Sequence, residues 1–163
     1  MTHQNVSILI VDDANFTCEM TRRALKNAGY GDIRICNSGE RALEVMQRRQ
    51  ADVLLADWMM PDMTGLELTE QTRFLDEENN HYTYILLLTA KDGMETLTEA
   101  FDRGVDDFIK KSPYNEELLA RIYAGSRVAS LQNTLLQTTS RLTEINHNLE
   151  QQSTFDLVTG LGN

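Results

Sequence analysis

The stretch DVLLADWMMPDMTGLEL, residues 52–68, joins an apolar run to the start of a helix. The run from 53 to 56 is continuously apolar, which is typical of a short strand buried on both faces of a parallel sheet. It ends on a carboxylate, Asp57, and Thr64 with Glu67 then forms the capping-box pattern of a helix N-terminus. A buried strand that ends on a charge and leads into a helix predicts an α/β unit with a functional carboxylate at the edge of the sheet.

Four more short apolar runs, VSILIV, IRIC, YILLL and DFI, are separated by segments with helical spacing. These segments place apolar residues on one face, in the first Phe16, Met20, Ala24 and Ala28 and in the second Ala42, Leu43 and Met46. Further helix boundaries are predicted by a second capping box, Asp92 with Glu95, and by Gly29 and Gly104 at helix ends. Five strands alternating with helices predict an α/β doubly wound fold with a five-stranded parallel sheet, flavodoxin-like with order 2-1-3-4-5, ending near Ser126.

The region from Asn115 to about Gln152 differs, because it contains no proline and only one glycine, Gly125. Two series recur every seven positions, one at Val128, Leu135, Leu142 and Leu149 and the other at Leu131, Thr138, Ile145 and Gln152. This heptad pattern predicts a long C-terminal helix of about 55 Å that forms a coiled coil. The simplest partner for its apolar seam is a second copy of the chain, giving a homodimer through residues 115–152. The alternative is a surface helix that frays where its contact with the domain ends.

Composition limits the kinds of protein this can be. The chain has 163 residues, 41% hydrophobic and 25% charged, which suits one soluble domain with an appendage. Its formal net charge of −10 argues against a nucleic-acid partner, because binding to phosphates depends on Lys and Arg. No apolar stretch has the length of a membrane span, no signal peptide is evident, and Cys18 and Cys36 lack disulfide-framework or metal-ligand spacing. We therefore expect a cytoplasmic protein that binds neither nucleic acid nor membrane.

Polar side chains stand where the predicted strands end, at the edge where open parallel sheets bind ligands. The first strand ends in Asp12 and Asp13 and the third in Asp57, and these two strands are neighbours in the predicted order. Three carboxylates at close range repel one another unless they are protonated or a cation neutralises them, and all-oxygen ligands suit Mg²⁺. The fourth and fifth strands end near Thr89 and Lys111, which would add a hydroxyl and a positive charge. The alternative, that the acids only cap helices, explains Asp12 or Asp13 singly better than the full set.

The combination resembles the receiver domain of response regulators in two-component signalling. The matching segments are ILIVDD, LLADWMMPDMTGLEL, ILLLTA and DDFIKK, in the family's order, and the resemblance extends over residues 6–125. It implies a phosphoprotein of a phosphorelay, in which Asp57 accepts a phosphoryl group from a sensor histidine kinase or a phosphotransfer protein in the presence of Mg²⁺.

The resemblance also implies roles for individual residues. Mg²⁺ would be held by Asp12, Asp13, Asp57 and the backbone carbonyl of Met59, the phosphoryl oxygens would be contacted by Thr89 and Lys111, and Phe108 would be the switch aromatic that changes rotamer. One departure is Lys111-Ser112-Pro113, because the family has proline directly after the lysine, often through a cis peptide. A cis Lys111–Ser112 bond would cost about 2.5–4 kcal/mol. The cis bond is therefore either absent or at Ser112–Pro113, and counting from Asp107 favours Lys111 over Lys110.

The last residues, FDLVTGLGN at 155–163, resemble the beginning of a GGDEF diguanylate cyclase domain. The matching positions are Asp156, Val158, Thr159, Gly160, Leu161 and Asn163, and the alternative is a simple turn. The predicted organisation is a receiver domain over 1–125, a coiled-coil signalling helix over 126–153, and the truncated start of a GGDEF-like output domain over 154–163. The resemblance thus implies the regulatory part of an enzyme that makes cyclic-di-GMP, with the nucleotide-binding residues beyond Asn163.

Three other functions are weighed against this one. A Mg²⁺-dependent phosphohydrolase would use Asp57 for turnover, but such enzymes place an acid two residues after the nucleophile, where this chain has Met59. A pseudo-receiver would act only as a dimerisation scaffold, which the complete set of acids disfavours. A phosphorylatable histidine at His147 is disfavoured because it lies off both heptad series and lacks the flanking residues of a kinase phosphorylation box.

Overall fold

The computed structural model describes residues 5–90 and 94–159, with side chains at 5–90 and 97–151. Its strands are β1 (Ser7–Val11), β2 (Asp32–Cys36), β3 (Val53–Asp57), β4 (Tyr84–Thr89) and β5 (Asp107–Lys110). All neighbouring strands are parallel, and they form one sheet in the order β2-β1-β3-β4-β5. The predicted flavodoxin-like sheet with order 2-1-3-4-5 is therefore confirmed.

Helices follow each strand. They are α1 (Asn15–Asn27), α2 (Gly39–Arg48), α3 (Gly65–Asn79), α4 (Met94–Asp102) and α5 (Glu116–Thr159). The last helix has 44 residues, so it is about 66 Å long and extends well beyond the sheet. From 137 to 151 every side chain of α5 is exposed. Among the described helices, none combines the length and the apolar character that a bilayer-spanning segment needs.

Alternate residues of the central strands point into two hydrophobic cores, one on each face of the sheet. Leu9 and Leu54 belong to the core that α2, α3 and α4 cover, and both are fully buried. Their neighbours Ile10 and Leu55 belong to the opposite core, beneath α1 and α5. Burial on both faces explains why the strands are continuously apolar in the sequence.

The buried face of α1 is not the face that carries its larger apolar residues. Cys18, Thr21 and Leu25 are buried, whereas Phe16 is 78% exposed and Met20 is 48% exposed. The helix packs on the sheet through a stripe that includes a cysteine and a threonine, and its larger apolar residues border an open groove beside residues 110–118 instead. The predicted helix is confirmed, and the structure adds that its buried stripe is not the one with the larger apolar residues.

The helix boundaries follow the local signals where the structure describes them. Thr64 caps α3, because its hydroxyl oxygen accepts a hydrogen bond from the Glu67 amide at 3.2 Å. Gly29 and Gly104 have positive φ angles of 103° and 104°, which glycine adopts without strain at the end of a helix. Asp92 lies outside the described residues, and so do the side chain of Glu95, the side chains of 152–159 and all of 160–163. In the described part of the chain no peptide bond is cis, so Lys111–Ser112 and Ser112–Pro113 are both trans.

Candidate phosphoacceptor site

Asp57 is the last residue of β3, and its buried side chain stands at the carboxyl end of the sheet. The turn after it is held by backbone hydrogen bonds, from the Trp58 amide to the Leu88 carbonyl at 2.9 Å and from the Gly65 amide to the Trp58 carbonyl at 2.8 Å. A Cβ at Gly65 would lie 2.7 Å from the Asp57 carbonyl oxygen, so a glycine is needed for α3 to begin this close to β3. The segment from 57 to 65 therefore fixes the position of the Asp57 carboxylate.

Asp12, Asp13 and Asp57 form one acid cluster. One carboxylate oxygen from each lies within 4.8 Å of the other two, although the residues come from the ends of two different strands. Asp12 and Asp57 are buried and Asp13 is exposed. The Asp12 side chain is oriented by the Ala14 amide, which donates to Oδ1 at 2.9 Å. The structure thus brings together the three acids that the strand order predicts at this edge.

The acid cluster has uncompensated negative charge. Burial, and then the charge of Asp57, raise the pKa of Asp12, while the Ala14 amide and Lys111 act against this rise. Oδ2 of Asp12 is buried and has no hydrogen-bond partner, which costs free energy unless a positive charge lies against it. A buried carboxylate oxygen beside two more carboxylates provides the oxygen ligands that a hard divalent cation prefers. The residues present therefore fit Mg²⁺.

Lys111 lies across the cluster from the acids. Its Nζ donates to Oδ2 of Asp57 at 2.8 Å and lies 4.0 Å from Oδ2 of Asp12. Burial by itself lowers the pKa of Lys111, but the hydrogen bond and charge of Asp57, with the charges of Asp12 and Asp13, raise it overall. The lysine therefore stays protonated and holds one oxygen of Asp57 in place. Lys110 ends β5 and Lys111 follows it, and it is Lys111 that donates to Asp57.

Two further candidates, Thr89 and Met59, are joined to Lys111 and Asp57 by hydrogen bonds of their backbones. Thr89 is the last residue of β4, one position beyond Leu88, which is the partner of Asp57 in the strand register. Its carbonyl accepts the Lys111 amide at 2.8 Å, which ties the end of β4 to the lysine. The Met59 amide donates to Oδ1 of Asp57 at 3.3 Å, and the Met59 side chain is exposed.

Phe108 lies in β5 and packs against a second aromatic residue. Its half-buried ring contacts Phe101 of α4, with ring centroids 5.3 Å apart and planes tilted by 47°. The ring also packs against the core that α2, α3 and α4 cover. This geometry places Phe108 between the sheet and an exposed part of α4, because Phe101 is 48% exposed.

Two residues that support Asp12 were not singled out from the sequence. The Asn37 side-chain amide donates to the Asp12 carbonyl at 3.1 Å, and the Cys18 thiol donates to the same oxygen at 3.4 Å. Burial and the charge of Asp12 raise the pKa of Cys18 to about 11, so the thiol keeps its proton. Asn37 directly follows β2, and the strand-end signal that identified Asp12 also applies to it. Cys18 gives no such signal.

Comparisons with known proteins give a consistent result. The model of the response regulator receiver domain family matches residues 8–123. Response regulator MprA of Mycobacterium leprae is 40% identical over 117 residues, which are 72% of this chain and 49% of MprA. The chain thus spans about half the length of the curated relatives it matches.

Solved structures agree with this match. Chemotaxis protein CheY4 of Vibrio cholerae is 30% identical, with a TM-score of 0.65 over 73% of this chain and 96% of that one. The receiver domain of histidine kinase CKI1 from Arabidopsis thaliana, solved with Mg²⁺ and BeF₃⁻, is 25% identical, with a TM-score of 0.68 over 77% of this chain and 92% of that one.

Proposed function

The chain belongs to the response regulator receiver domain family, and from this premise we propose that Asp57 accepts a phosphoryl group from a sensor histidine kinase or a phosphotransfer protein. The observation that carries the proposal is the contact of a buried strand-end carboxylate with a protonated lysine, beside two further acids. This is a nucleophile placed next to a cation site and a phosphate-binding charge.

The proposed reaction is a phosphoryl transfer between two protein side chains. An Asp57 carboxylate oxygen attacks the phosphorus of a phosphohistidine, the O–P bond forms, and the P–N bond breaks with its electron pair returning to the imidazole. Lys111 turns from the carboxylate towards the phosphoryl oxygens and neutralises their charge, and Thr89 donates its hydroxyl to one of them. The product is an aspartyl phosphate, and the imidazole regains a proton from solvent.

Mg²⁺ fits this site because the acids repel both one another and the incoming phosphoryl group. Asp12, Asp13 and Asp57 would hold the ion together with the Met59 backbone carbonyl, and the bound ion supplies charge neutralisation between the acids and the phosphoryl oxygens. The buried Oδ2 of Asp12, which has no hydrogen-bond partner, supports this assignment. The CKI1 receiver domain, which was solved with Mg²⁺ and BeF₃⁻, supports it by similarity.

We propose that the phosphodonor approaches Asp57 along the groove that borders α1. This groove is lined by Phe16 and Met20 of α1 and by Tyr114, and it also includes Lys111. Phe16 and Tyr114 are each 78% exposed, so a donor helix would bury apolar surface there as its histidine approaches Asp57. We expect Phe16→Ala to slow transfer from histidine kinases autophosphorylated with ATP and to leave phosphorylation by acetyl phosphate unchanged. Equal slowing with both donors would assign Phe16 a structural role.

The output proposed for this receiver is a diguanylate cyclase, controlled through a dimer of the long helix. The supports are the heptad series along α5 and the match of 155–163 to the beginning of a GGDEF domain. Phosphorylation at Asp57 would change how two helices pair and so bring two cyclase domains together, each holding one GTP. Phe108, which lies in β5 and contacts Phe101 of α4, is the residue proposed to pass the change from Thr89 to the exposed part of α4.

The test of the phosphoacceptor is direct. The protein is incubated with acetyl phosphate and Mg²⁺, and its intact mass is measured with Asp57→Asn as the matched variant. We expect the wild type to gain one phosphoryl group, and both Asp57→Asn and wild type with EDTA to gain none. Equal gain in Asp57→Asn would overturn the assignment. Steady release of phosphate from assorted phosphomonoesters would favour a hydrolase instead, although Met59 supplies no acid for that reaction.

A further inference from the structure

Asn133, on the long helix, makes the last polar contact described between α5 and the sheet domain. Its side-chain oxygen accepts the Tyr82 amide at 2.8 Å, and its side-chain nitrogen donates to the Tyr82 carbonyl at 3.0 Å. One asparagine therefore satisfies both backbone groups of a residue that lies just before β4. Beyond it the half-buried Leu136 follows, and then α5 is fully exposed to 151.

The side chain of Tyr82 is held from two other elements. Its hydroxyl donates to Oδ1 of Asp106, and the Arg73 guanidinium of α3 lies 4.8 Å from the centre of its ring. Burial and the negatively charged Asp106 raise the pKa of Tyr82, so the phenol keeps the proton it donates. Asp106 also accepts the Ile85 amide of β4 at 2.8 Å and Arg73 at 2.7 Å. Tyr82 is thus fixed between α5, the start of β4 and the residue that directly precedes β5.

The same strand connects this network to the acid cluster. Asp106 stands at one end of β5, and Lys111, which binds Asp57, follows the other end. The four residues of β5 therefore join Lys111 to Asp106 along one strand. Asp106 accepts the Tyr82 hydroxyl, and the Tyr82 amide donates to Asn133, so a continuous series of contacts runs from Lys111 to Asn133.

The position of Asn133 on the helix is informative. If Val128 and Leu131 take the a and d positions of the heptad, Asn133 takes position f, on the opposite side of the helix. Ala129, which is fully buried against the domain, takes the neighbouring position b. The heptad seam therefore points away from the domain while the domain-facing side is held by Asn133. Val128 and Leu131 are 37% and 69% exposed, as this orientation requires.

From these contacts we infer that Asn133 is a positioning residue, a latch that sets the rotation and exit point of α5 and releases when the charge at Asp57 changes. The first half stands on the contacts of Asn133 alone, and the second half rests on the proposed phosphoacceptor function. While Asn133 is bonded to Tyr82, which is the closed state of the latch, the rotation of α5 is fixed and its apolar seam faces away from the domain. When β5 moves, Asp106 draws Tyr82 away and the helix is free to rotate.

The Tyr82 amide gives a direct readout of the closed latch, because its acceptor is the Asn133 side chain. Hydrogen exchange of this single amide is measured by NMR in the wild type, in Asn133→Ala and in the control Asn148→Ala, an exposed asparagine of the same helix. We expect exchange in Asn133→Ala to be about tenfold faster, since a hydrogen bond to a partly buried group is lost. Asn148→Ala should match the wild type. Unchanged exchange in Asn133→Ala would overturn the latch, with phosphoryl uptake from acetyl phosphate serving to show that the variant is folded.

The coupling is tested by adding Mg²⁺ and BeF₃⁻ to the same samples. We expect Tyr82 exchange to accelerate in the wild type and not in Asn133→Ala, where the latch is already open, nor in Asp57→Asn. The Met59 amide beside Asp57 is the internal control for occupation of the site. If the Met59 resonance responds and Tyr82 exchange does not, the coupling is wrong and the phosphoacceptor function stands. If neither responds, the phosphoacceptor function is wrong and the coupling with it.

Discussion

Asp12 is the residue with the least favourable surroundings in the site. It is only 2% exposed, one of its carboxylate oxygens has no hydrogen-bond partner, and Asp57 lies beside it. Lys111 gives its short hydrogen bond to Asp57 and is 4.0 Å from Asp12, so it compensates Asp12 incompletely. The repulsion between Asp12 and Asp57 therefore lowers the stability of the folded domain, and a bound divalent cation would remove it.

Asp12→Asn should stabilise the metal-free protein by roughly 1–3 kcal/mol, because it removes a buried charge from beside Asp57. The asparagine oxygen still accepts the Ala14 amide, so the local turn is kept. Mg²⁺ should raise the unfolding temperature of the wild type and have little effect on the variant. Thermal unfolding with and without Mg²⁺ measures both effects, and a less stable metal-free variant would contradict the repulsion.

The repulsion also predicts a pH dependence with a definite sign. The pKa of Asp12 is raised above its ordinary value of 3.8, so the folded state binds this proton more tightly than the unfolded state does. Between the two pKa values the unfolding free energy falls as pH rises, and above the folded pKa the loss is complete. The stability advantage of Asp12→Asn, without metal, should therefore grow as the pH rises above about 4. Urea unfolding at several pH values measures it, and an advantage that shrinks with pH would be inconsistent with this sign.

At the scale of elements, the approach of α5 to the sheet depends on a glycine. A Cβ at Gly125 would lie 2.4 Å from the ring of Tyr84 in β4, and that ring is buried. Burial and the nearby charge of Asp107 raise the pKa of Tyr84 to about 12, so the phenol is neutral beneath the helix. The helix therefore lies on the sheet through a flat contact between a glycine and an aromatic ring.

Gly125→Ala should destabilise the protein by about 1–3 kcal/mol, because α5 or the Tyr84 ring must move. The sign of the change in stability is informative, because replacing glycine by alanine inside a helix otherwise stabilises a protein by roughly 1 kcal/mol. Gly31→Ala is the control for an added Cβ without a clash, because Gly31 lies outside the helices and a Cβ there meets nothing within 4 Å. Urea denaturation measures both variants, and a stabilised Gly125→Ala would show that the contact yields without cost.

The elements themselves could be predicted because their causes are local. The runs that became β1 and β3 are apolar on both faces, and Thr64 caps α3 as its spacing with Glu67 indicates. The face of α1 could not be predicted in the same way. Helical spacing puts Phe16 and Met20 together, but packing on the sheet selects Cys18 and Leu25. Which face is buried depends on residues far away in the chain.

The same difference between local and distant causes applies to the residues of the site. Asp12, Asp13 and Asp57 could be found because each ends a strand and the strand order makes two of those ends neighbours. The contact of Asn133 with Tyr82 joins residues 51 positions apart, and nothing in the local sequence indicates it. Its position opposite the seam becomes significant only once α5 is known to lie on β4.

At the scale of the whole molecule, α5 leaves an apolar seam without cover in the described chain. Leu135, Leu142 and Leu149 are each between 57% and 59% exposed, and Ile145 is 53% exposed. A single helix with this series is marginally stable in water, and a second copy would bury the seam.

Leu142→Glu should weaken self-association by at least about 100-fold, because the change removes a leucine from both helices of a pair and burial of each is worth about 1.5–3 kcal/mol. Ser140→Glu is the matched control, because it adds the same charge at an exposed position away from the seam. Sedimentation velocity over a range of concentrations measures both variants. A wild type that stays monomeric at high concentration would contradict the coiled coil, and equal weakening by both variants would point to charge alone.

The orientation of α5 has a consequence for how the two Asp57 side chains of a pair would be phosphorylated. In α5 the sheet domain contacts the side of position f, and a second helix would contact the side of positions a and d. The two sheet domains of a pair would therefore lie on opposite sides of the coiled coil. Neither domain would block access to Asp57 of the other. Two phosphodonors could therefore bind at the same time, and phosphorylation of one domain would not alter access to the second. If the two sites are modified independently, the doubly modified fraction would equal the square of the fraction modified at one site, so doubly modified pairs would lag behind singly modified ones at low donor concentration.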